Sequence, residues 1–338
     1  MARCGFFLFA GDNSIVMAVY TEVSDEDLSG FLAEYHIGGL LSCTGIDEGI
    51  ENSNYLLKTA GGDFILTLYE KRVDREDLPF FLGLLDHLAA RGVPCPIPVK
   101  GRDENALREL SGRPAAVVTF LDGHGLRPRR ISPGHCSELG RAMAEMHLAG
   151  MDFSGRREND LSIRSWRRLL KACSGRADEV KPGLAEILDR ELTALEGGWP
   201  ENLPKGIIHA DLFPDNVFFK GDSLSGIIDF YFACSDFFAY DLAVCINAWC
   251  FEGEKTFNVT KARRMLLAYR GVRDFSAAEL ACLPLLARGA AMRFLLTRLY
   301  DRLNKSENAG VALKDPLEYL QKLRFHQAAD GPGAYGLD

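Results

Sequence analysis

The chain has 338 residues, 47% of them hydrophobic and 25% charged, and a net charge of −8. That length suits one large domain or two lobes sharing a cleft, and the acidic balance, with no stripe of Lys and Arg, excludes general attraction to nucleic-acid or membrane phosphates. No run of about 18 or more apolar residues argues for a membrane span, and the nine cysteines, with no CxxC pair among them, read as reduced, mostly buried thiols of a cytoplasmic protein.

The start, MARCGFFLFAG, has the Arg and short apolar run of a weak signal sequence, but Gly11-Asp12-Asn13 interrupts it and no small-residue cleavage site follows. Residues 1–16 are therefore expected to be an extension outside the fold, with Met17 opening the ordinary beginning MAVYTEV. Ser24, followed by acidic residues, caps a short amphipathic helix, SDEDLSGFLAEY. Residues 39–46, 54–59 and 63–69 are rich in strand formers and separated by DEGIENS and AGGD, the pattern of consecutive antiparallel strands. Residues 75–91 carry apolar positions at helical spacing and stop at Gly92, after which VPCPIPV cannot continue a helix. Two more strands are expected within 107–121, the second running into the turn LDGHG, a hinge candidate. Beyond it the pattern is helical, at 132–149, about 161–174, about 182–196 and repeatedly from about 236 onward, broken only at 205–230 by the short strand-like pieces GIIHAD, NVFFK and SGIIDF. The segment after Phe325, HQAADGPGAYGLD, is polar and Gly-rich enough to predict partial disorder. The resulting organisation is an α+β, bilobal chain: an N-lobe over 17–122 built on a small antiparallel sheet, a mainly helical C-lobe over 123–328, and a tail over 329–338.

Phosphoryl transfer needs a carboxylate at the acceptor hydroxyl and oxygen ligands for the magnesium that bridges the phosphates. In His209-Ala210-Asp211-Leu212-Phe213-Pro214-Asp215-Asn216 the spacing matches the kinase pattern HRDxxxxN, with Asp211 as the catalytic carboxylate and Asn216 as a metal ligand. Asp229 follows the apolar strand Gly226-Ile227-Ile228, so its carboxylate emerges at a strand end as a second metal ligand, with Phe230 next, as in DFG. Each residue alone is commonly a cap or a turn former. In this order, with apolar strands to hold them, they point to a kinase that uses ATP and Mg2+. His209 reads as a scaffold for the loop rather than a proton-transfer group.

HADLFPDN together with IIDF resembles the aminoglycoside phosphotransferase and choline kinase superfamily, the protein-kinase-like small-molecule kinases. The helix LGRAMAEMH is similar to that superfamily's helix ending in LH, and Asp241 in AYDLA to its acidic residue that supports the catalytic loop. Within the superfamily, GIENSNYLL, FILTLYE, LPFFLGLLDHLAARGVPCPIPV, INAWCFE and MRFLLTRLYD resemble the type of homoserine kinase that uses this fold, from about Met17 to about Phe325. The resemblance implies a protein-kinase-like bilobal fold and transfer of the ATP γ-phosphate to L-homoserine, giving O-phospho-L-homoserine, a step toward threonine. One departure stands out. The superfamily's third strand usually carries a Lys or Arg paired with a helical Glu; here Thr67 stands at the cation's place and Phe80-Phe81 at the acid's, with Lys58 and Lys71 as neighbouring candidates for the missing charge.

The turn from Glu48 to Asn54 lies where a hairpin should cover the phosphates, which makes Gly49, Asn52 and Ser53 phosphate candidates through backbone amides and the Ser53 hydroxyl. Adenine is expected against the linker, read by backbone groups of Thr119 and Leu121 and lined by Val117. For the substrate, Arg293 and Arg298 are candidates for a carboxylate, since a guanidinium grips one bidentately. Asp236, Glu252 and Asn247 are candidates for an ammonium, and Trp249 for a pocket wall. An aminoglycoside, choline or ethanolamine kinase would share the chemistry with an acid-rich pocket and no buried Arg. A pseudokinase would show a broken metal set, which the intact Asp211, Asn216 and Asp229 argue against, and a metal-dependent hydrolase lacks its His cluster. Monomer and homodimer both fit the sequence.

Overall fold

Ser24 caps the first helix, α1 (Asp25–Leu32), its hydroxyl accepting from the Asp27 amide at 3.1 Å. After α1 the chain enters a five-stranded antiparallel sheet of order β1-β2-β3-β5-β4, formed by β1 (Leu40–Ile46), β2 (Asn52–Thr59), β3 (Gly62–Tyr69), β4 (Leu107–Leu110) and β5 (Arg113–Thr119). The computed structural model describes residues 21–46, 52–70, 73–173, 175–253, 255–304 and 313–337. The extension 1–16, Gly49 and Lys71 lie outside these residues.

Because side chains alternate across a strand, the sheet has two different faces. Tyr55, Leu57, Leu66, Leu68, Ala115 and Val117 pack with Leu28, Phe31 and Leu32 of α1 in one buried cluster. On the opposite face, Tyr69 and Ala116 pack against Leu78, Phe81 and Leu82 of α2 (Leu78–Ala90), and this face carries Asn54 and Thr67, paired across β2 and β3.

The linker after β5 is bonded to the second lobe. Ser225 Oγ donates to the Asp122 carbonyl at 2.9 Å, and His124 and Phe219 exchange backbone hydrogen bonds of 3.3 and 3.0 Å. Gly123 is needed between them: its φ is 141°, and a Cβ there would stand 2.4 Å from Ser225 Oγ.

The second lobe is built on α3 (Pro133–Ala149), α4 (Ile163–Cys173), α5 (Ala177–Val180), α6 (Leu184–Gly198), α7 (Phe238–Trp249), α8 (Val259–Arg270), α9 (Ala277–Asn304) and α10 (Pro316–Ala328). α5 is an extra turn not expected from the sequence. Between α6 and α7 lie the two-stranded ribbons β6 (Lys205–Ile208) with β9 (Cys234–Phe237) and β7 (Val217–Lys220) with β8 (Ser223–Ile227), all antiparallel. α9 is long and apolar enough to cross a membrane by length and composition, but 61% of its apolar window is buried inside the protein, where it packs against α7, α4, α6 and α10.

The expectation of a partly disordered tail fails over the described residues. Tyr335 is fully buried, its hydroxyl 2.9 Å from His326 Nδ1, and Leu337 is buried as well. A single aromatic and a leucine are enough to dock a segment whose composition is otherwise that of a loop. Of the described cysteines most are buried, with Cys43 exposed and Cys282 intermediate; burial pushes the Cys95 thiol up to about 12.

Candidate active site

β6 and β9 run side by side, and the chain between them forms one compact constellation. β6 delivers His209, the β7–β8 hairpin separates Asn216 from Asp229, and β9 leads into α7 with Asp241. Asp241 is fully buried. Its carboxylate accepts from the backbone amides of His209 (2.9 Å) and Ala210 (2.8 Å) and pairs with His147 Nε2 at 3.0 Å, while His147 Nδ1 lies 2.8 Å from the Tyr269 hydroxyl. Burial opposes the charge on Asp241, but the hydrogen bond from His147 and those from the backbone outweigh it and keep its pKa below the ordinary carboxylate range. The pKa values of the His147 and His209 imidazoles are lowered as well, chiefly by burial, which favours their neutral forms. His209 acts as a staple between the two edges of the site: Nδ1 accepts from the Asp211 amide at 3.3 Å and Nε2 lies 2.9 Å from the Ile228 carbonyl.

Two non-glycine residues of the site are left-handed, Ala210 (φ 63°) and Asp229 (φ 64°), each a conformation that costs of order 1–3 kcal/mol and persists only when the surroundings over-determine it. At Ala210 the reason is visible. The turn sends its amide to Asp241 and its carbonyl to the guanidinium of Arg293. Arg293 is 2% exposed, lies 3.7 Å from Asp211 Oδ1, and stacks over Phe294 at 4.4 Å. The next carbonyls are held too: Asn216 Nδ2 donates to the Asp211 carbonyl at 2.9 Å, and Trp249 Nε1 to the Leu212 carbonyl at 2.7 Å. Asn216 Nδ2 also lies 3.4 Å from Asp211 Oδ2. The loop thus sets the Asn216 amide beside the Asp211 carboxylate, and the hydrogen bond from the Ile228 amide to the Asn216 carbonyl (3.0 Å) brings the backbone before the exposed Asp229 alongside the loop.

The profile of the phosphotransferase enzyme family matches residues 42–275. The chain belongs to that family. The homoserine kinase of Rhodospirillum rubrum is 65% identical over 321 residues, which cover 95% of this chain and 99% of that one. That of Paramagnetospirillum magneticum is 61% identical over 328 residues, covering 95% and 100%. Among solved structures, an aminoglycoside phosphotransferase from Alicyclobacillus acidocaldarius superposes with a TM-score of 0.65 at 14% identity, covering 88% of this chain and 92% of that one. Choline kinase from Cryptosporidium parvum gives 0.67 at 14% identity, covering 90% and 94%. These two likenesses establish the α+β bilobal fold.

Against this phosphotransferase's geometry, several candidates from the sequence change place. Val117 does not line an adenine slot with its side chain: it is fully buried in the α1-side cluster, and Val118, across the ladder from Ile65, stands on the other face. Ser53 differs for the same reason. Its hydroxyl lies on the α1 side and donates to Glu70 Oε1 at 2.8 Å, so it does not face the phosphates. Asn52 accepts from the Glu70 amide at 3.3 Å, closing the end of β3. Thr119 and Leu121 do sit at the linker; the Thr119 amide is bonded to the Ile97 carbonyl at 2.9 Å, and Leu121 packs over Gly226, where a Cβ would come within 2.8 Å of it. Lys58 is exposed and opposite Asp63 near the far turn of the hairpin, away from Thr67.

On the substrate side, Arg298 pairs with Glu318 at 2.6 Å and ties α9 to α10, so it is not a carboxylate ligand. Glu252 is paired with Lys261 at 2.7 Å and Asn247 is buried between α7, α9 and His326, which removes both from the pocket. Trp249 is not a pocket wall but a buttress under the loop, fully buried with its indole N–H on Leu212. Asp236 lies beside the site, its carboxylate taking hydrogen bonds from Asn159 Nδ2 (2.7 Å) and the Phe237 amide (2.8 Å); burial raises its pKa. Sequence reasoning passed over Tyr231, Tyr69 and Asn54. Asn54 Oδ1 accepts from Thr67 Oγ1 at 2.8 Å, so the expected cation's place is occupied by a neutral, satisfied pair.

Proposed function

We propose that this phosphotransferase is a cytoplasmic homoserine kinase, transferring the γ-phosphoryl group of ATP to the hydroxyl of L-homoserine. The observation that carries the reading is the 65% identity to a homoserine kinase over 95% of this chain, in a chain that carries Asp211, Asn216 and Asp229 at the spacing of a kinase loop. Asp211 orients the acceptor hydroxyl and takes its proton as the new O–P bond forms and the bond to the ADP oxygen breaks. Asn216 spends its amide N–H on the Asp211 carbonyl, which directs its oxygen outward, and with the Asp229 carboxylate this makes a pair of hard oxygen donors. Such a pair fits Mg2+, which is held by one or two protein ligands together with substrate phosphates. Bound there, the metal supplies neutralisation of the charge that develops on the phosphoryl oxygens.

Arg293 supports this chemistry from beneath. Bonded to the Ala210 carbonyl and set beside Asp211, it fixes the loop and offsets the Asp211 charge; at 2% exposure it serves as this support rather than as the ligand of a substrate carboxylate. Asp236 is the remaining candidate for the substrate ammonium. The linker groups proposed for adenine are the Thr119 carbonyl and the Leu121 amide.

An ADP-release assay across L-homoserine, L-serine, choline and an aminoglycoside tests the reading. Turnover with L-homoserine well above the other three is the expected result. Turnover confined to choline or the aminoglycoside would overturn the acceptor and leave the phosphotransferase chemistry standing.

A further inference from the structure

Asp229 is followed by a one-turn helix, Phe230–Phe232, whose first two residues face opposite ways. Phe230 packs on His209 of the catalytic loop, with ring centroids 4.6 Å apart. Tyr231 reaches into the other lobe. Its ring meets Tyr69 of β3 edge-on at 5.6 Å and Phe81 of α2 edge-on at 5.8 Å, and its hydroxyl lies 3.5 Å from that of Tyr69. The Thr67 hydroxyl stands beside the same phenol. The two positions where the superfamily pattern puts a cation and its acid, Thr67 and the Phe80-Phe81 pair, are therefore joined through one side chain of the second lobe.

That contact has a mechanical meaning for Asp229. The residue is left-handed and exposed, a strained conformation that persists only when its neighbours hold the turn, so what grips the turn on either side helps to fix where the carboxylate stands. One grip is Phe230 on the catalytic loop. The other is Tyr231 on the N-lobe. Edge-to-face aromatic contacts give orientation without charge, which suits a roof where Phe80 and Phe81 stand in place of the helical acid.

We propose that Tyr231 is a positioning residue for Asp229, holding its carboxylate in the metal-binding direction by docking on Tyr69 and Phe81, and so coupling the placement of the N-lobe to the metal site. The proposal rests on the reading of Asp229 as a metal ligand. The purified full chain tests it through calorimetric titration of Mg2+ into the enzyme with a non-hydrolysable ATP analogue, which reads metal binding without turnover, alongside kcat, the KM values for ATP and homoserine, and the Mg2+ concentration giving half-maximal rate.

For Tyr231→Ala we expect a roughly five- to tenfold rise in the Mg2+ requirement and in KM for ATP, with KM for homoserine changed by less than about twofold, the size of effect that loss of two aromatic contacts carries. Tyr231→Phe should restore both to within about twofold, since the ring makes the contacts. Phe81→Leu, which removes the ring in the other lobe and keeps an apolar side chain there, should reproduce part of the Mg2+ effect, and its combination with Tyr231→Ala should be no worse than Tyr231→Ala alone. An unchanged Mg2+ requirement in a folded Tyr231→Ala enzyme, or additive effects of the two changes, would overturn the proposal. Asp229→Asn run alongside separates the two readings: if it leaves the Mg2+ requirement unchanged, the metal assignment fails, whereas a loss there with none in Tyr231→Ala breaks the coupling alone.

Discussion

The floor and the roof of the cleft are held by opposite means. On the floor, the carbonyls of Ala210, Asp211 and Leu212 and the amides of His209, Ala210 and Asp211 each have a named partner, drawn from Arg293, Asn216, Trp249, Asp241 and His209 itself. Most of those partners are buried, and two of them are charged. On the roof, the corresponding position carries Thr67 bonded to the neutral Asn54, with the rings of Tyr231, Tyr69 and Phe81 packed together nearby. Charge in a buried site is expensive unless fully paired. Charge is placed in the loop that carries Asp211, where each charged partner is bonded, and the Thr67 position is filled by a neutral pair.

Substitutions can break that contrast. The largest effect is expected at Asp229→Ala, which removes the carboxylate proposed to hold the metal: phosphoryl transfer should fall by about 10³-fold or more, and calorimetric binding of Mg·ATP should weaken with it. Asp241→Ala comes next. It leaves two backbone amides and His147 without an acceptor, so we expect a loss of about 3–5 kcal/mol in denaturant unfolding, with kcat lowered in the protein that remains folded. On the roof the same treatment should matter less. Thr67→Val removes one neutral hydroxyl and should change kcat/KM by about threefold. Thr67→Lys sharpens the comparison, because restoring the cation without its acid buries an ammonium beside Phe81 and should lower activity and stability rather than raise them.

Acid sensitivity supplies a smaller test, in a region away from both. Burial, with a contribution from Lys322, lowers the pKa of His326 from 6.5 to about 3 in the folded chain, where the ring is neutral between the Tyr335 hydroxyl and Asn247 Oδ1. Below the unfolded pKa the unfolded chain takes up a proton that the native protein refuses. Stability from this group is therefore full above about pH 6.5 and falls as pH drops toward 3, by at most ~1.4 kcal/mol per pH unit. Urea titrations of wild type and His326→Gln should show that slope flattened in the variant across this window.

The part of the site that was legible in the sequence was the part written as short-range spacing. His209, Asp211 and Asn216 fall within one turn and loop, and Asp229 ends a strand whose apolar run announces it. The cap at Ser24 and the stop at Gly92 were legible for the same reason. What was not legible depends on parity or on distant partners. Val117 and Ser53 each sit one residue out of phase with the cleft face, and a shift of one position in a strand moves a side chain through the sheet. Arg293 and Arg298, five residues apart on one apolar helix, could not be told apart until Ala210 and Glu318 were seen beside them. Trp249 looked equally suited to a pocket or a core, and the Leu212 carbonyl decides it. Tyr231 carried no signal, because its partners Tyr69 and Phe81 lie about 150 or more positions earlier in the chain. The tail misled by composition: one buried Tyr335 outweighs several glycines.

Asp211 is proposed to align the acceptor while other residues hold the nucleotide. Asp211→Asn, which keeps the shape and the hydrogen-bonding capacity of the loop, isolates it. Single-turnover transfer of labelled γ-phosphate from ATP to L-homoserine should fall by about 10³-fold or more in this variant, with the dissociation constant for Mg·ATP within about threefold of wild type. Near wild-type transfer by Asp211→Asn would contradict the account.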